Sequence, residues 1–242
     1  SVNAPFVQDP ARMGIKDPSI SPTNRWLLER VGRLATESMR EWLSQEQCNQ
    51  VERAEAYCLL PDRRIESEDC GRCICSVIAE YLMEHPVLFE SEGSLVTNCF
   101  VPPYPFYDIW DPDQIAIFAG SDYNAVLCQS ICSDYRERLK NWSLVSIDSD
   151  LEIVDWFKTH QVPRPTRFDQ LIQLWTYILN NHPYWKLGSF RSLKILPVEG
   201  MEGLHQAEHL VRVGDSIRGI SEDDAAFLSE YLLFFDRSFL RT

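Results

Sequence analysis

The chain has 242 residues, of which 45% are hydrophobic and 24% charged, a balance that supports a folded core and excludes disorder of the whole chain. Its net charge of −13 repels phosphate backbones and anionic lipid, so neither nucleic acid nor a membrane surface is an expected partner. A partner protein with a basic surface is favoured instead, and no apolar run reaches the roughly 18–20 residues of a membrane span.

In chain order, residues 1–23 are polar and dotted with Pro5, Pro10, Pro18 and Pro22, which predicts an extended or disordered arm. Residues 24–242 are expected to form a single globular domain, with a possible internal boundary at "HQVPRPTR" near 160–167. "SPTN" supplies caps for a helix over "RWLLERVGRLATESMREWL", with Leu27, Val31, Leu34, Ser38 and Trp42 as its inward stripe. "SQEQCNQVERAEAYCLL" continues or restarts that helix, and Pro61 ends it. An acidic loop follows, then a buried helix over "CICSVIAEYLMEH". "SLVTNCFV" and "QIAIFAG" read as strands. Between them, "PPYPFYDIWDPD" is too proline-rich for a central strand or a helix. Helices are predicted over "SDYNAVLCQSICSDYRERLKNW", capped by Ser121, over "DSDLEIVDWFKTH" and over "RFDQLIQLWTYILNN". "LKILPV" is a strand, "MEGLHQAEHLVRVG" a helix ended by Gly214, and "SEDDAAFLSEYLLFFDRSFL" a helix capped by Ser221. The fold class is α+β, mainly helical, with about seven or eight helices and a few short strands. No regular strand–helix alternation argues for a doubly wound sheet.

Two histidines and a glutamate spell H-x-x-E-H at His205, Glu208 and His209. On a helix, both imidazoles would share one face and could hold zinc, with Glu208 as the catalytic base. Only 33 residues follow His209, too few to place the distant third ligand a catalytic zinc usually takes. A surface helix is the favoured reading, and zinc is the alternative. "CGRC" at Cys70–Cys73 stands at a predicted helix start, but Glu66, Glu68 and Asp69 nearby disfavour a thiolate. Cys70, Cys73, Cys75 and Cys99 form the alternative metal set, and buried free thiols are favoured over it. The eight cysteines in a chain long enough to build a core suggest a reducing compartment, cytoplasm or nucleus. Secretion after signal removal is the alternative, and the "NWS" sequon at Asn141–Ser143 points that way.

No phosphate-binding glycine loop, nucleophile elbow or H-E-x-x-H motif occurs in the chain, so no catalytic residue and no cofactor is expected. The most unusual segment carries Tyr104, Phe106, Tyr107 and Trp110 among three prolines, and "NNHPYWKLGSF" adds Tyr184 and Trp185. If exposed, these rings form a preorganised binding surface; if buried, they close the core. The expected function is a non-catalytic protein-interaction or regulatory module, adaptor- or effector-like, with those six residues as its binding set. An enzyme with an aromatic-lined pocket, zinc-dependent through His205, Glu208 and His209, is one alternative. A self-associating scaffold is another.

Overall fold

The structure, a computed structural model, describes residues 4–8, 10, 14–123, 125–181, 191–198, 201–207, 210–211 and 233–234. The described residues form a mainly helical α+β fold with eight α-helices and a few two-stranded ribbons. The chain resolves into two compact units, Ser1–Phe100 with Ala125–Ser146, and Val101–Asn124 with Ile147–Thr242. The chain therefore changes unit three times, and the 160–167 segment lies inside the second.

In the first unit, α1 (Pro22–Leu43) starts where Ser21 caps the backbone N–H of Asn24 and Pro22 occupies the first turn. Asn24 is fully buried. Its amide nitrogen donates to the carbonyls of Val7 (2.8 Å) and Lys16 (2.7 Å), and its oxygen accepts from the Val7 N–H (2.7 Å). The arm is thereby pinned to α1, and its two halves meet in a Gln8–Ile15 bridge.

The buried stripe of α1 is Leu28, Gly32, Thr36, Met39 and Leu43, rotated by one to two residues from the expected stripe of Leu27, Val31, Leu34, Ser38 and Trp42. Leu34, expected inside, is 63% exposed. The reason is the crossing with α3 (Asp69–Glu84). A Cβ on Gly32 would sit 2.8 Å from the Ile74 carbonyl oxygen of α3. The closest helix approach selects the smallest residues, and these fix which face of α1 turns inward.

A restart follows as predicted: α2 (Gln50–Ala54) opens with a capping box between Asn49 and Glu52, then tightens into a 3₁₀ turn over Glu55–Leu59. Arg53 is buried beneath this turn. It donates to the Leu43 and Gly93 carbonyls at 2.7 Å each, and its guanidinium lies 4.3 Å from the centroid of the Phe89 ring. Tyr57 is fully buried. Its hydroxyl donates to Val87 O (2.8 Å) and accepts from Phe89 N (2.9 Å), fixing the start of β1 (Leu88–Phe89).

β1 pairs antiparallel with β2 (Leu95–Val96), a shorter strand than the eight residues predicted. The second crossover extends this ribbon, because Val126 bridges Phe100 and Leu127 bridges Glu90. Those bridges break the helix expected over 121–142, and the helical part, α6, begins only at Ser133 and runs to Asn141.

In the second unit, the proline-rich segment holds a single helical turn, α4 (Phe106–Ile109). The run expected as a strand, 114–120, is instead the helix α5 (Pro112–Ala119), opened by a capping box between Asp111 and Gln114 with Pro112 at its first position. An apolar run of five, Ile115–Ala119, is ambiguous between strand and helix, and here the local cap decides it. Helices α7 (Asp150–Thr159) and α8 (Phe168–Asn181) form as predicted. β3 (Lys194–Pro197) pairs antiparallel with β4 (Leu204–Gln206). β4 replaces the helix expected over 201–214. Leu204 donates its N–H to Val162 O at 2.8 Å, and Gly203 bridges Pro163, so pairing on both sides overrides helix propensity. β5 (Leu210–Val211) runs parallel to β6 (Leu233–Phe234), which places a strand inside the predicted C-terminal helix. Ser221 and the rest of that helix lie outside the described residues.

Candidate functional site

The aromatic segment turns inward. Phe106 is 0% and Trp110 3% exposed. The Phe106 ring packs edge-on against Trp110 (5.0 Å), Tyr177 (5.1 Å) and Phe118 (5.4 Å). The Trp110 indole N–H donates to Pro163 O at 3.1 Å. These residues are the core of the second unit, where offset and edge-on ring pairs add about 0.5–1.5 kcal/mol each to area burial. The open anchor surface expected from sequence is therefore reduced to Tyr104, which is 44% exposed, and the half-buried Tyr107. Tyr184 and Trp185 lie outside the described residues.

The zinc constellation loses its geometric basis at His205. This residue sits on β4, so the helical face on which His205 and His209 would align is not formed there. Glu208 and His209 lie outside the described residues. The thiol set does not gather either. Cys75 and Cys99 are buried, and among the described residues no three His, Cys, Asp or Glu side chains stand together as metal ligands. All eight cysteines are free. Burial pushes the Cys70 thiol up, reinforced by Cys73, Asp69 and Glu68, and pushes Cys99 up to about 12. Thiols held in that direction are poor nucleophiles.

A different surface stands open. One face of α8 is buried at Leu171, Leu174, Tyr177 and Ile178, yet Ile172 and Leu179 are 45% and 56% exposed. Between α8 and β3 runs a groove of about 280 Å³ lined by Trp175, Ile178, Leu179, Ile195 and Leu196. In a regular strand, Ile195 and Leu196 would face opposite sides. The β3–β4 register runs from Lys194 opposite Gln206 directly to Leu196 opposite His205. Ile195 is thus the extra residue of a bulge, and both neighbours reach the groove. The carbonyl of Ile195, outside the ladder, accepts the Trp175 indole N–H at 2.8 Å. That bond holds the ring at a fixed angle, and Phe168 packs edge-on at 6.5 Å behind it. The result is a hydrocarbon groove with the Trp175 ring as one wall.

The walls of the groove and the exposed α8 positions beside it, Gln173, Thr176 and Asn180, carry no charge. Helix α8 contains no Lys or Arg. Lys194 of β3 directs its ammonium to the carbonyls of His160 (2.8 Å) and Thr159 (3.3 Å) at the end of α7. At the opposite end of α7, Asp150 accepts the Tyr177 hydroxyl at 2.7 Å. Asp148, just ahead of α7, keeps one buried carboxylate oxygen without a hydrogen bond. Desolvation is the main cause that raises its pKa, with Glu152 adding to it. A carboxyl whose folded pKa is raised binds its proton more tightly folded than unfolded. Stability is then lost as pH climbs from the unfolded to the folded value, and the deficit persists above it. Asp148→Asn is accordingly expected to melt higher than the parent at pH 7 and to lose that advantage near pH 3. Thermal unfolding at both pH values checks this, and an equal difference at both would count against it.

The groove residues Leu179, Ile195 and Leu196, and exposed Ile172 on the same helix, are not among the candidate residues of the sequence analysis. Their signal was present in α8, where Phe168, Leu171, Ile172, Leu174, Trp175, Tyr177, Ile178 and Leu179 make an apolar arc wider than one buried stripe. Among the described residues, no helix is long and apolar enough to cross a membrane. No protein-family profile, curated protein or solved structure matches the chain.

Proposed function

We propose that the protein is a non-catalytic protein-interaction module, adaptor- or effector-like, that receives an apolar segment of a partner protein in the groove between α8 and β3. The observation that carries this reading is the Trp175 indole fixed on the Ile195 carbonyl beside exposed Leu179. Exposed apolar side chains scattered singly are ordinary, and the grouping of Trp175, Leu179, Ile195 and Leu196 along one groove is what supports a contact surface here. Eight free thiols support an intracellular, reducing setting for it.

A photo-crosslinking amino acid at position 179 tests the reading in cells. Ile117, 47% exposed on the same unit, is the control position. Position 179 is expected to yield a discrete adduct that position 117 does not, and Ile172→Asp is expected to remove it. Identical adduct patterns from 179 and 117 would reject the reading. An adduct of the mass of two chains would redirect it to the self-associating alternative.

A further inference from the structure

We infer that Cys70 and Cys73 form a reversible oxidation site, a dithiol that small disulfides such as glutathione disulfide convert to a Cys70–Cys73 disulfide within α3. The two thiols stand on the first two turns of α3, three residues apart and both partly exposed. Helix geometry sets Cα atoms at that spacing about 5 Å apart, inside the roughly 4.4–6.8 Å span that a disulfide accepts. Cys75, two residues further on, is buried on another face. Gly71, between the pair, packs against the backbone of Ile65, which fixes the turn that carries both sulfurs. The surroundings of the two thiols differ, and this sets the order of events. Burial raises both. Around Cys70 the charges that act on it are all anionic: Cys73, Asp69, Glu68 and Asp17 of the arm. Around Cys73, Arg25 and Arg72 oppose Glu29 and Asp69. Cys73 therefore ionises more readily and attacks first. Its sulfur bonds to one sulfur of glutathione disulfide, whose S–S bond breaks, and the departing glutathione keeps the electron pair and takes up a proton. The Cys70 thiol then gives its proton to water, its sulfur bonds to Cys73 Sγ, and the second glutathione leaves and is protonated. Two protein thiols are thereby oxidised by two electrons, and one glutathione disulfide is reduced to two thiols. Raised thiols make the first step slow. They also withhold from the reduced pair the thiolate stabilisation that makes a dithiol strongly oxidising, so the disulfide is kept once formed.

Incubation of the folded full chain with glutathione disulfide, quenched with acid and alkylated, then digested with trypsin and chymotrypsin for mass spectrometry, tests this. Trypsin cuts after Arg72, between the two cysteines, so a Cys70–Cys73 bond leaves two peptides linked that separate on reduction. The link is expected in the parent and in Cys75→Ala, and is expected to be absent from Cys70→Ser and Cys73→Ser. Cys70→Ser, which leaves Cys73 without its partner, is expected to hold glutathione as a mixed disulfide. It is expected to take it up at least about fivefold faster than Cys73→Ser does at Cys70. Dithiothreitol is expected to return the oxidised parent to the dithiol with its circular dichroism unchanged. A link that survives Cys73→Ser would overturn the inference, because Cys70 would then be joined to another sulfur. A link that forms only in urea would overturn it as a property of the unfolded chain. A parent that keeps glutathione on Cys73 without releasing it, or that does not react at all when folded, would overturn it as well, because the two sulfurs would not meet.

Discussion

Phe106→Ala is expected to destabilise the second unit by about 3–5 kcal/mol, whereas Tyr104→Ala, two residues earlier, is expected to change stability by no more than about 1 kcal/mol. Both rings belong to one proline-rich run, and a binding-loop reading would give them similar roles. The structure separates them. Phe106 is fully buried and meets Trp110, Phe118, Phe157 and Tyr177 edge-on. Its removal leaves a cavity that four rigid rings cannot collapse to fill, which places the cost toward the upper part of the range for an aromatic truncation. Tyr104 is 44% exposed, so most of its ring stays in water and little transfer energy is at stake. Guanidinium unfolding followed by far-UV circular dichroism and by tryptophan emission reads both. A Phe106→Ala cost below about 1 kcal/mol would mean that the ring cluster is not the core of the unit. Loss of partner binding from a fully stable Phe106→Ala protein would restore the segment as a contact surface.

The same contrast shows what the residue pattern could and could not deliver. Helices α7 and α8 were legible because their apolar positions recur at helical spacing and Ser149 with Glu152 forms a capping box. Helix α1 was legible as a helix but not in its rotation. Hydrophobicity ranks Leu34 above Gly32, while the crossing with α3 needs the residue with no Cβ. Helix α5 is misread as a strand from its apolar run, and the Asp111–Gln114 cap, which the sequence reading passes over, is the better guide. Strand β4 was not legible. "GLHQAEHL" has helical spacing, and only pairing with β3 and Val162, both distant in sequence, makes residues 204–206 extended. The groove shares that limitation. Its α8 wall is visible as an excess of apolar residues, but its β3 wall exists because a bulge at Ile195 turns two neighbouring side chains the same way. A bulge is a property of the pairing, so no single strand announces it.

Gly71→Ala is expected to cost about 3 kcal/mol net, and Cys70→Ser and Cys73→Ser on either side of it no more than about 1 kcal/mol each. The "CGRC" stretch invites a redox reading in which the cysteines matter and the glycine is a spacer. Packing reverses the order. A Cβ built on Gly71 would fall 1.8 Å from the Ile65 carbonyl oxygen and 2.6 Å from its carbon. These are backbone atoms inside the 3₁₀ turn Arg63–Ser67, which cannot yield like the end of a flexible side chain. Alanine would gain about 1 kcal/mol of helix propensity in α3. The clash exceeds that gain because α3 and the turn must separate, and Gly32 holds α3 against α1 on another side. The two thiols are only partly buried, are not bonded to each other, and are pushed up by burial, so exchanging sulfur for oxygen removes no strong interaction. Urea unfolding midpoints of the three variants decide the matter. A stabilised Gly71→Ala would show that the turn and α3 do not approach this closely. A pair of Cys→Ser variants costlier than Gly71→Ala would show that the motif is held by its sulfurs after all.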